Sequence, residues 1–320
     1  MFNCAETSEG YLVIWSLGLV WFGLVGLRPK TKVRKYRTGS LPKSGHITAP
    51  KSAGFKGRTK IRLPTFFIDI DGVLYSGMEG IAGGPAALEF LRSKAARFCL
   101  VTNTSRMSVT NIAQHLTALG YDISRQEIIA VPEIAVEYLC HRYGTAHCFV
   151  IGDHSLDACF TQYGHQVTRE EVPVDAVVIG LSRWANFGEI DIARRLVEAG
   201  AEPIALNRDL TCPDGSVLRI GAGPVVAALE SVISRPVTLV GKPSAAFFDA
   251  ALRRTGFQPE DTIMLGDNLK VDIVGAAGAG LRTILIRSGA SSNEPLTPEC
   301  DWELESIAEL PAWYLANFPN

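Results

Sequence analysis

Short apolar runs alternate with helix-like patterns from Pro64 to the end of the chain. The runs are rich in valine, isoleucine and phenylalanine, which is typical of strands buried on both faces of a sheet. Between them, apolar residues recur at helical spacing. This alternation predicts an α/β fold, in which helices cover a parallel sheet. We expect strands at residues 65–70, 97–101, 147–151, 176–179, 203–206, 237–240, 262–265 and 283–286.

Several helix boundaries are also visible in the sequence. Pro85 suits the first turn of a helix, where its missing N–H costs nothing. Ile112, Leu116 and Leu119 form one apolar stripe, and Gly120 supplies a stop. We therefore expect one helix to begin near Pro85 and another to end at Gly120.

Polar residues interrupt the first predicted strand at its end. Asp69 and Asp71 follow the run Phe66-Phe67-Ile68, and Gly72 comes next. Alternating side chains of a strand point to opposite faces, so the strand must end here if both acids are to face one site. Gly72 allows a sharp turn. Acids at the carboxyl end of such a strand indicate a reactive site.

Thr102 and Asn103 close the next predicted strand in the same way. Their hydroxyl and amide groups suit an anionic oxygen. The alternative interpretation is a local one, in which this segment leads into a helix capped near Ser108.

A third segment places Lys242 between Gly241 and Pro243 at the end of another predicted strand. Pro243 keeps Lys242 extended, and Ser244 can cap the helix that follows. A lysine confined at this edge of the sheet is expected to hold a phosphate group rather than to be a solvated surface charge.

The fourth segment places Asp267 and Asp272 after an apolar run. Four carboxylates at one edge would repel each other and raise each other's pKa, so a hard divalent cation is the natural partner. Ligation by a few carboxylates and water suggests Mg²⁺.

Residues 150–157 superficially copy this fourth segment, but the second acid comes one residue too early. We interpret them as the start of a helix capped by Asp153 or Ser155, and not as a metal site involving His154.

Charge is distributed unevenly along the 320 residues. Residues 1–62 hold twelve Lys and Arg against two Glu, whereas the rest holds 19 basic and 31 acidic residues. The acidic remainder argues against nucleic acid as the main partner.

The seven cysteines show no C-x-x-C pair or zinc-type spacing, so we expect reduced thiols in the core of a cytosolic protein.

Residues 11–27 are almost wholly apolar, and six basic residues follow within residues 28–37. The segment is just short of the usual spanning length and fits a single-pass anchor that leaves the downstream domain in the cytoplasm. The alternatives are a targeting peptide or a non-native extension. Residues 38–64 have the composition of a disordered linker.

The segments DIDGV, VTNTS, VGKPS and GDNLKVD, in this order, resemble the haloacid dehalogenase (HAD) superfamily of phosphatases. The interval between Asn103 and Lys242 resembles the type IIA branch, which includes NagD-like nucleotide phosphatases, phosphoglycolate phosphatases and 4-nitrophenylphosphatases. The resemblance implies a Rossmann-like core at residues 64–146 and 237–320. It also implies an inserted α/β cap of the C2 type at residues 147–236.

The resemblance also implies roles for the motif residues. Asp69 would be the nucleophile and Asp71 the general acid/base. Asp69, Asp267 and the backbone carbonyl of Asp71 would hold Mg²⁺, with Asp272 and Gly72 in support. The phosphoryl group would be bound by Thr102, Asn103 and Lys242.

Asn207 and Asp209 also resemble cap residues of the type IIA branch. The chain departs from the branch after residue 181, where relatives carry an acid and this chain has Ser182-Arg183-Trp184. Arg183 is therefore a candidate contact for an anionic leaving group. The alternative interpretation is that Arg183 is a solvated surface arginine that precedes a helix.

We expect a Mg²⁺-dependent phosphatase that hydrolyses a small phosphorylated metabolite through an aspartyl-phosphate. The second aspartate favours phosphoester hydrolysis over dehalogenation, because halide leaves without a proton. The alternatives are a phosphotransferase with the same intermediate and a membrane-tethered protein that binds a phosphorylated ligand without turnover. The sequence leaves open membrane contact through residues 11–27 and assembly into a homo-oligomer.

Overall fold

The computed structural model describes residues 63–214 and 217–319. The apolar segment at residues 11–27, almost all of the predicted linker, and Cys4 lie outside the described residues. Within the described part, no helix is both long and apolar enough to cross a bilayer.

A six-stranded parallel sheet forms the first layer of the molecule. Its strand order is β15-β14-β13-β1-β4-β5, so β1 lies near the centre with β13 on one side and β4 on the other. The six strands are β1 (Thr65–Asp69), β4 (Phe98–Thr102), β5 (Ile128–Ala130), β13 (Thr262–Gly266), β14 (Arg282–Ile286) and β15 (Trp302–Leu304).

A five-stranded parallel sheet forms a second layer, in the order β12-β9-β8-β6-β7. Strand β12 pairs with β9 and begins at Thr238, two residues past the predicted domain boundary at residue 236. The five strands are β6 (His147–Ile151), β7 (Gln166–Thr168), β8 (Ala176–Ile179), β9 (Glu202–Ala205) and β12 (Thr238–Leu239).

Helices cover the two sheets, as the alternation of patterns predicts. The longer helices are α1 (Gly84–Ser93), α2 (Val109–Ala118), α3 (Val131–Tyr143), α4 (His154–Gln162), α5 (Phe187–Glu198), α6 (Gly223–Glu230), α7 (Ala245–Thr255) and α9 (Leu310–Asn317). Shorter helical segments are α8 (Val274–Gly278) and a π-helical turn at Leu269–Ile273. Two hairpins complete the fold, β2 (Tyr75–Ser76) with β3 (Glu79–Gly80), and β10 (Thr211–Asp214) with β11 (Val217–Ile220).

Most predicted boundary signals are confirmed. Proline stands in the first turn of α1, and α2 ends two residues before Gly120, whose φ is +90°. The hydroxyl of Ser108 accepts from the N–H of Asn111, and that of Ser244 accepts from Phe247, so both serines cap their helices.

Several elements escaped the sequence pattern. β5, β7 and β15 have only three residues each, which is too short for a periodic signal, and β5 runs directly into α3. The β10–β11 hairpin was missed because β11 is exposed along its whole length, so it shows no alternation of buried and exposed positions.

The prediction that the cysteines lie in the core holds for Cys99 and Cys148 but is wrong for Cys140, which is exposed.

Alternation along β1 divides the apolar core between the two faces of the first sheet. Phe66 and Ile68 pack into one cluster, and Phe67 packs into a second cluster that also includes Val150 and Val178 of the second sheet. Asp69 has the same parity as Phe67, so it shares the face that looks toward the second sheet.

The strand order reverses at β1, because β4 and β5 extend the sheet to one side and β13 to β15 extend it to the other. In open α/β sheets, a crevice forms outside the carboxyl ends of the strands at such a point. The carboxyl ends of β1, β4 and β13 therefore meet where the sequence places its acids.

Candidate functional site

Three buried carboxylates converge at the carboxyl ends of β1 and β13. Each of Asp69, Asp267 and Asp272 offers an oxygen, and these oxygens all lie within 4.8 Å of one another. Asp69 is the last residue of β1, Asp267 follows β13, and Asp272 lies in the π-helical turn. The structure thus brings together three of the four acids that the sequence singles out into one cluster.

Lys242 neutralises two of these acids. Its ammonium nitrogen lies 2.6 Å from Asp69 Oδ1 and 2.7 Å from Asp272 Oδ1, and it also donates to the carbonyl of Val101 at 3.3 Å. The side chain is only 1% exposed. Lys242 reaches the cluster from the second sheet, because it follows β12.

Asn103 holds the backbone of Lys242 from both sides. Its Nδ2 donates to the Lys242 carbonyl at 2.9 Å, and its Oδ1 accepts from the Lys242 N–H at 2.9 Å. The hydroxyl of Thr102 accepts from the N–H of Thr104 at 3.0 Å. Two of the three predicted phosphate-binding side chains, Thr102 and Asn103, therefore order the backbone around the cluster.

Glycine is required where the loops approach the acids most closely. Gly72 has φ +80°, and a Cβ there would overlap the Asp267 carboxylate. A Cβ at Gly289 would overlap the same carboxylate. Sequence reasoning identified Gly72 but missed the loop that contains Gly289.

This missed loop follows β14 and binds Asp267 through its backbone. The N–H of Ala290 donates to Asp267 Oδ2 at 2.6 Å, and the N–H of Ser291 donates to the Asp267 carbonyl at 3.0 Å. The hydroxyl of Ser288 donates to the Gly72 carbonyl at 3.0 Å. The run Ser288-Gly289-Ala290-Ser291 after a predicted strand was the available signal.

Burial dominates the electrostatics of the cluster. It raises the pKa of Asp69 well above its usual value, against the opposing attraction of Lys242. It also raises the pKa of Asp267 to about 7, with further repulsion from Asp272. Burial alone would lower the pKa of Lys242, but the attraction of Asp272 and Asp69 outweighs it and raises the pKa.

The donor set fits a hard divalent cation. Lys242 supplies only one positive charge to three carboxylates, and burial together with repulsion from Asp272 raises the pKa of Asp267. Carboxylate oxygens converging in a buried site are ligands that Mg²⁺ accepts. Both oxygens of Asp272 are engaged, Oδ1 by Lys242 and Oδ2 by the N–H of Asn268 at 3.2 Å, so Asp69 and Asp267 are the side chains best placed to hold such an ion.

Asp71 lies beside this cluster and is half-buried. Burial raises its pKa, whereas the neighbouring hydroxyl of Tyr75 and the charge of Lys242 lower it. Because the net shift raises its pKa, Asp71 is protonated in a larger fraction of molecules than an exposed aspartate would be at the same pH.

Of the three predicted cap residues, Asn207 contacts Asn103, which follows β4. Asn207 is buried, and its Nδ2 donates to the Asn103 carbonyl at 3.0 Å, while its Oδ1 accepts from the N–H of Asp209 at 3.2 Å. Burial raises the pKa of Asp209 to about 6. Arg183 lies exposed in the loop between β8 and α5, and its role stays a prediction.

Ser105 makes a second contact between the layers, which sequence reasoning did not single out. Its hydroxyl accepts from the N–H of Leu181 at 3.0 Å, and its carbonyl accepts from Ser155 Oγ at 3.3 Å.

Residues 150–157, which resemble the fourth motif, do lead into helix α4. The prediction of a side-chain cap is wrong, because Asp153 caps no N–H and Ser155 bonds to Ser105 instead.

Family models match two parts of the chain. Residues 66–166 match a model described as haloacid dehalogenase-like hydrolase, and residues 239–310 match one described as HAD-hydrolase-like. The haloacid dehalogenase-like hydrolase domain-containing protein 2 of Bos taurus is 32% identical over 244 residues, which cover 75% of this chain and 91% of that protein. This chain belongs to the haloacid dehalogenase-like hydrolase family.

Other relatives agree with this family. An acid sugar phosphatase of Staphylococcus epidermidis is 26% identical over 72% of this chain and 89% of its own length. The structure resembles a 4-nitrophenylphosphatase from Thermotoga maritima, with a TM-score of 0.72 and 27% identity over 78% of this chain and 97% of that one. It also resembles NagD from E. coli K-12, with a TM-score of 0.70 and 28% identity over 78% of this chain and 98% of that one.

These similarities confirm the predicted subclass and fold. The chain is a HAD protein of subclass IIA, with a Rossmann-like α/β core and a cap. The exact boundaries of core and cap stay a prediction.

Proposed function

We propose that this protein hydrolyses small phosphomonoesters with Mg²⁺, through a phosphoryl group carried transiently on Asp69. The single observation that carries this proposal is the convergence of Asp69, Asp267 and Asp272 around the ammonium group of Lys242. A carboxylate nucleophile, a candidate ion site and a fixed cation are the parts that this reaction needs.

The chain is a phosphoric monoester hydrolase by its relatives. An acid sugar phosphatase, a 4-nitrophenylphosphatase and a 5'-nucleotidase from Bacillus subtilis are among the similar proteins. Their names have in common a small phosphorylated substrate, which we propose for this chain as well.

In the first step, Asp69 attacks phosphorus while Asp71 donates a proton to the ester oxygen, and the bond from phosphorus to that oxygen breaks. In the second step, Asp71 accepts a proton from water, whose oxygen attacks phosphorus and releases Asp69. Lys242 screens the negative charge of Asp69 and of the incoming phosphate. A Mg²⁺ ion held by Asp69 and Asp267 would supply further positive charge toward the phosphate oxygens.

The test is release of phosphate from p-nitrophenyl phosphate by the purified full-length chain. We expect activity that requires Mg²⁺ and is lost on addition of a chelator. Asp69→Asn keeps the size of the side chain but removes the nucleophile, so we expect no release above background. Asp153→Asn is the matched control, because Asp153 also follows a strand of a parallel sheet but lies at the start of α4. Activity retained in Asp69→Asn would refute the assignment of the nucleophile.

A further inference from the structure

A cavity of about 140 Å³ lies where helix α4 faces the loop that follows β4. This loop and the first turn of α2 form one wall, the start of α3 forms a second, and α4 forms a third. Asp69, Asp71, Lys242, Asp267 and Asp272 do not line it. The cavity is therefore separate from the candidate catalytic site.

The buried part of the cavity wall is largely apolar. Val109, Ala130 and Pro132 are buried there, and Met107 is half-buried. The half-buried Cys159 of α4 adds its thiol to the opposite wall. An apolar cavity of about 150 Å³ holds benzene in another protein, so a short apolar group of similar size fits this one.

A guanidinium group lies at the rim of the cavity. The side chain of Arg125 is 44% exposed, and its Nη2 donates to Glu133 Oε1 at 2.9 Å. The other carboxylate oxygen of Glu133 accepts from Arg254 at 3.0 Å, so two arginines balance the charge of this buried acid. Glu133 thus fixes Arg125 while using only one of the N–H groups that a guanidinium carries.

We propose that this cavity binds a small organic monoanion, whose carboxylate pairs with Arg125 and whose short apolar body packs against Val109, Ala130 and Pro132. Guanidinium and carboxylate groups match in shape and can form two parallel hydrogen bonds. A dianion such as phosphate fits less well, because the carboxylate of Glu133 already lies beside Arg125. The inference goes beyond the proposed function and does not depend on it.

The cavity is also connected to the loops that order the acid cluster. Ser105 and Ser155 both line it, and the Ser105 carbonyl accepts from Ser155 Oγ at 3.3 Å. Ser105 lies two residues after Asn103, whose amide binds the backbone of Lys242 on both sides. A bound anion therefore bridges α4 and the loop that carries Asn103.

The probe is butanoate, which carries one carboxylate and is similar in size to benzene. Occupancy is measured as protection of Cys159 from iodoacetamide in the full-length chain, by mass spectrometry of its peptides, because this thiol lines the cavity. For a dissociation constant on the order of 1 mM, as expected of so small a ligand, about 10 mM butanoate should slow alkylation of Cys159 about ten-fold.

Two comparisons in the same experiment control for general effects. Cys140 is exposed and does not line the cavity, so its rate of alkylation should not change with butanoate. Butan-1-ol and butylammonium have the same apolar body without the carboxylate. We expect each of them to slow alkylation of Cys159 by less than about two-fold at the same concentration.

Paired variants locate the site. Arg125→Gln removes the guanidinium group and should abolish protection, whereas Arg92→Gln should retain it. The Arg92 side chain is 40% exposed and pairs with Glu127 at 2.8 Å, but it does not line the cavity. Ala158→Phe places a ring in the cavity and should abolish protection. Thr161→Phe places the same ring on an exposed part of α4 outside the cavity and should retain it.

The outcomes separate the site from its chemistry. Equal protection by butanoate and butan-1-ol would overturn the recognition of a carboxylate. Absence of protection, or protection that persists in both Arg125→Gln and Ala158→Phe, would overturn the site itself. Alkylation of Cys159 is independent of phosphate release, so a chain that binds butanoate here but hydrolyses no phosphate ester would refute the proposed function alone.

Discussion

At the scale of single residues, the acids of the cluster are distinguished by their neighbours. Asp69 and Asp272 share the ammonium group of Lys242, whereas Asp267 is bound by the N–H of Ala290. Lys242 also lowers the pKa of Asp267, but burial and the repulsion from Asp272 outweigh this and raise it to about 7. Asp267 is thus an acid whose charge near neutral pH depends on a bound cation.

This arrangement predicts that Mg²⁺ affinity depends on pH. A carboxylate binds the ion only after losing its proton, and the pKa of Asp267 without metal is about 7. Affinity should therefore weaken as pH falls below about 7, by about ten-fold per unit if one proton is released. Calorimetric titration of the chain with Mg²⁺ on both sides of pH 7 measures this slope.

Asp209→Asn is the control for this titration. Asp209 has a pKa raised to about 6 and lies near Lys242, but it is outside the group of converging carboxylates. We expect the pH dependence of Mg²⁺ affinity to persist in Asp209→Asn. A Mg²⁺ affinity of the wild-type chain that does not change between about pH 8 and about pH 6 would contradict the assignment of Asp267 as a ligand.

At the scale of elements, the site depends on the way in which two strands end. β4 ends at Thr102 and β12 ends at Leu239, and the residues that follow them meet, because the amide of Asn103 binds the backbone of Lys242 on both sides. Gly241 permits this meeting, since a Cβ there would overlap the carbonyl of Leu206. The position of the ammonium group is therefore set by an asparagine on a different sheet.

We predict that Asn103→Ala lowers kcat/KM for p-nitrophenyl phosphate by up to about 100-fold, because the Lys242 backbone loses both hydrogen bonds and its ammonium group shifts. Steady-state kinetics measure the change. Asn186→Ala is the matched control: Asn186 also binds backbone N–H groups, those of Gly188 and Glu189, but at the start of α5. It should cost about 1 kcal/mol of stability and leave kcat/KM unchanged. Equal kinetics for the two variants would show that the bonds from Asn103 do not position Lys242.

At the scale of the whole molecule, one apolar cluster joins the two sheets. It contains Phe67 and Val101 of the first sheet, Val150 and Val178 of the second, and Phe247 of α7. Polar contacts add to it, since the hydroxyl groups of Tyr138 and Tyr143 on α3 donate to Glu202 on β9 at 2.6 and 2.8 Å. The two sheets thus share buried area that would be exposed if either unfolded alone.

We therefore predict a single thermal unfolding transition for residues of both sheets. Separate transitions are expected only where two layers have independent cores, which is not the arrangement around Phe67. Differential scanning calorimetry should give a calorimetric enthalpy equal to the van't Hoff enthalpy. A matched pair of variants, Val101→Ala in the first sheet and Val178→Ala in the second, should each shift the whole transition downward. Two resolved transitions, with each variant moving only one, would contradict this.

The four motifs could be identified from the sequence because each lies directly after an apolar strand. Asp69, Thr102 and Asp267 were placed at the ends of strands that the structure confirms, at the edge that parallel strands share. The role of Asn103 as a clamp was not visible, because its partner is 139 residues away. The loop containing Ala290 was missed for the same reason, since its N–H meets an acid 23 residues earlier.

The sequence by itself determined the α/β class, the strands that end in acids and the need for glycine after Asp71, because these depend on local periodicity and backbone freedom. Only the tertiary structure decided which acids share Lys242 and which hydrogen bonds Asn103 uses. Such contacts depend on strand order and on side-chain direction. Both are fixed when the apolar faces of the two sheets pack together, and neither leaves a periodic trace along the chain.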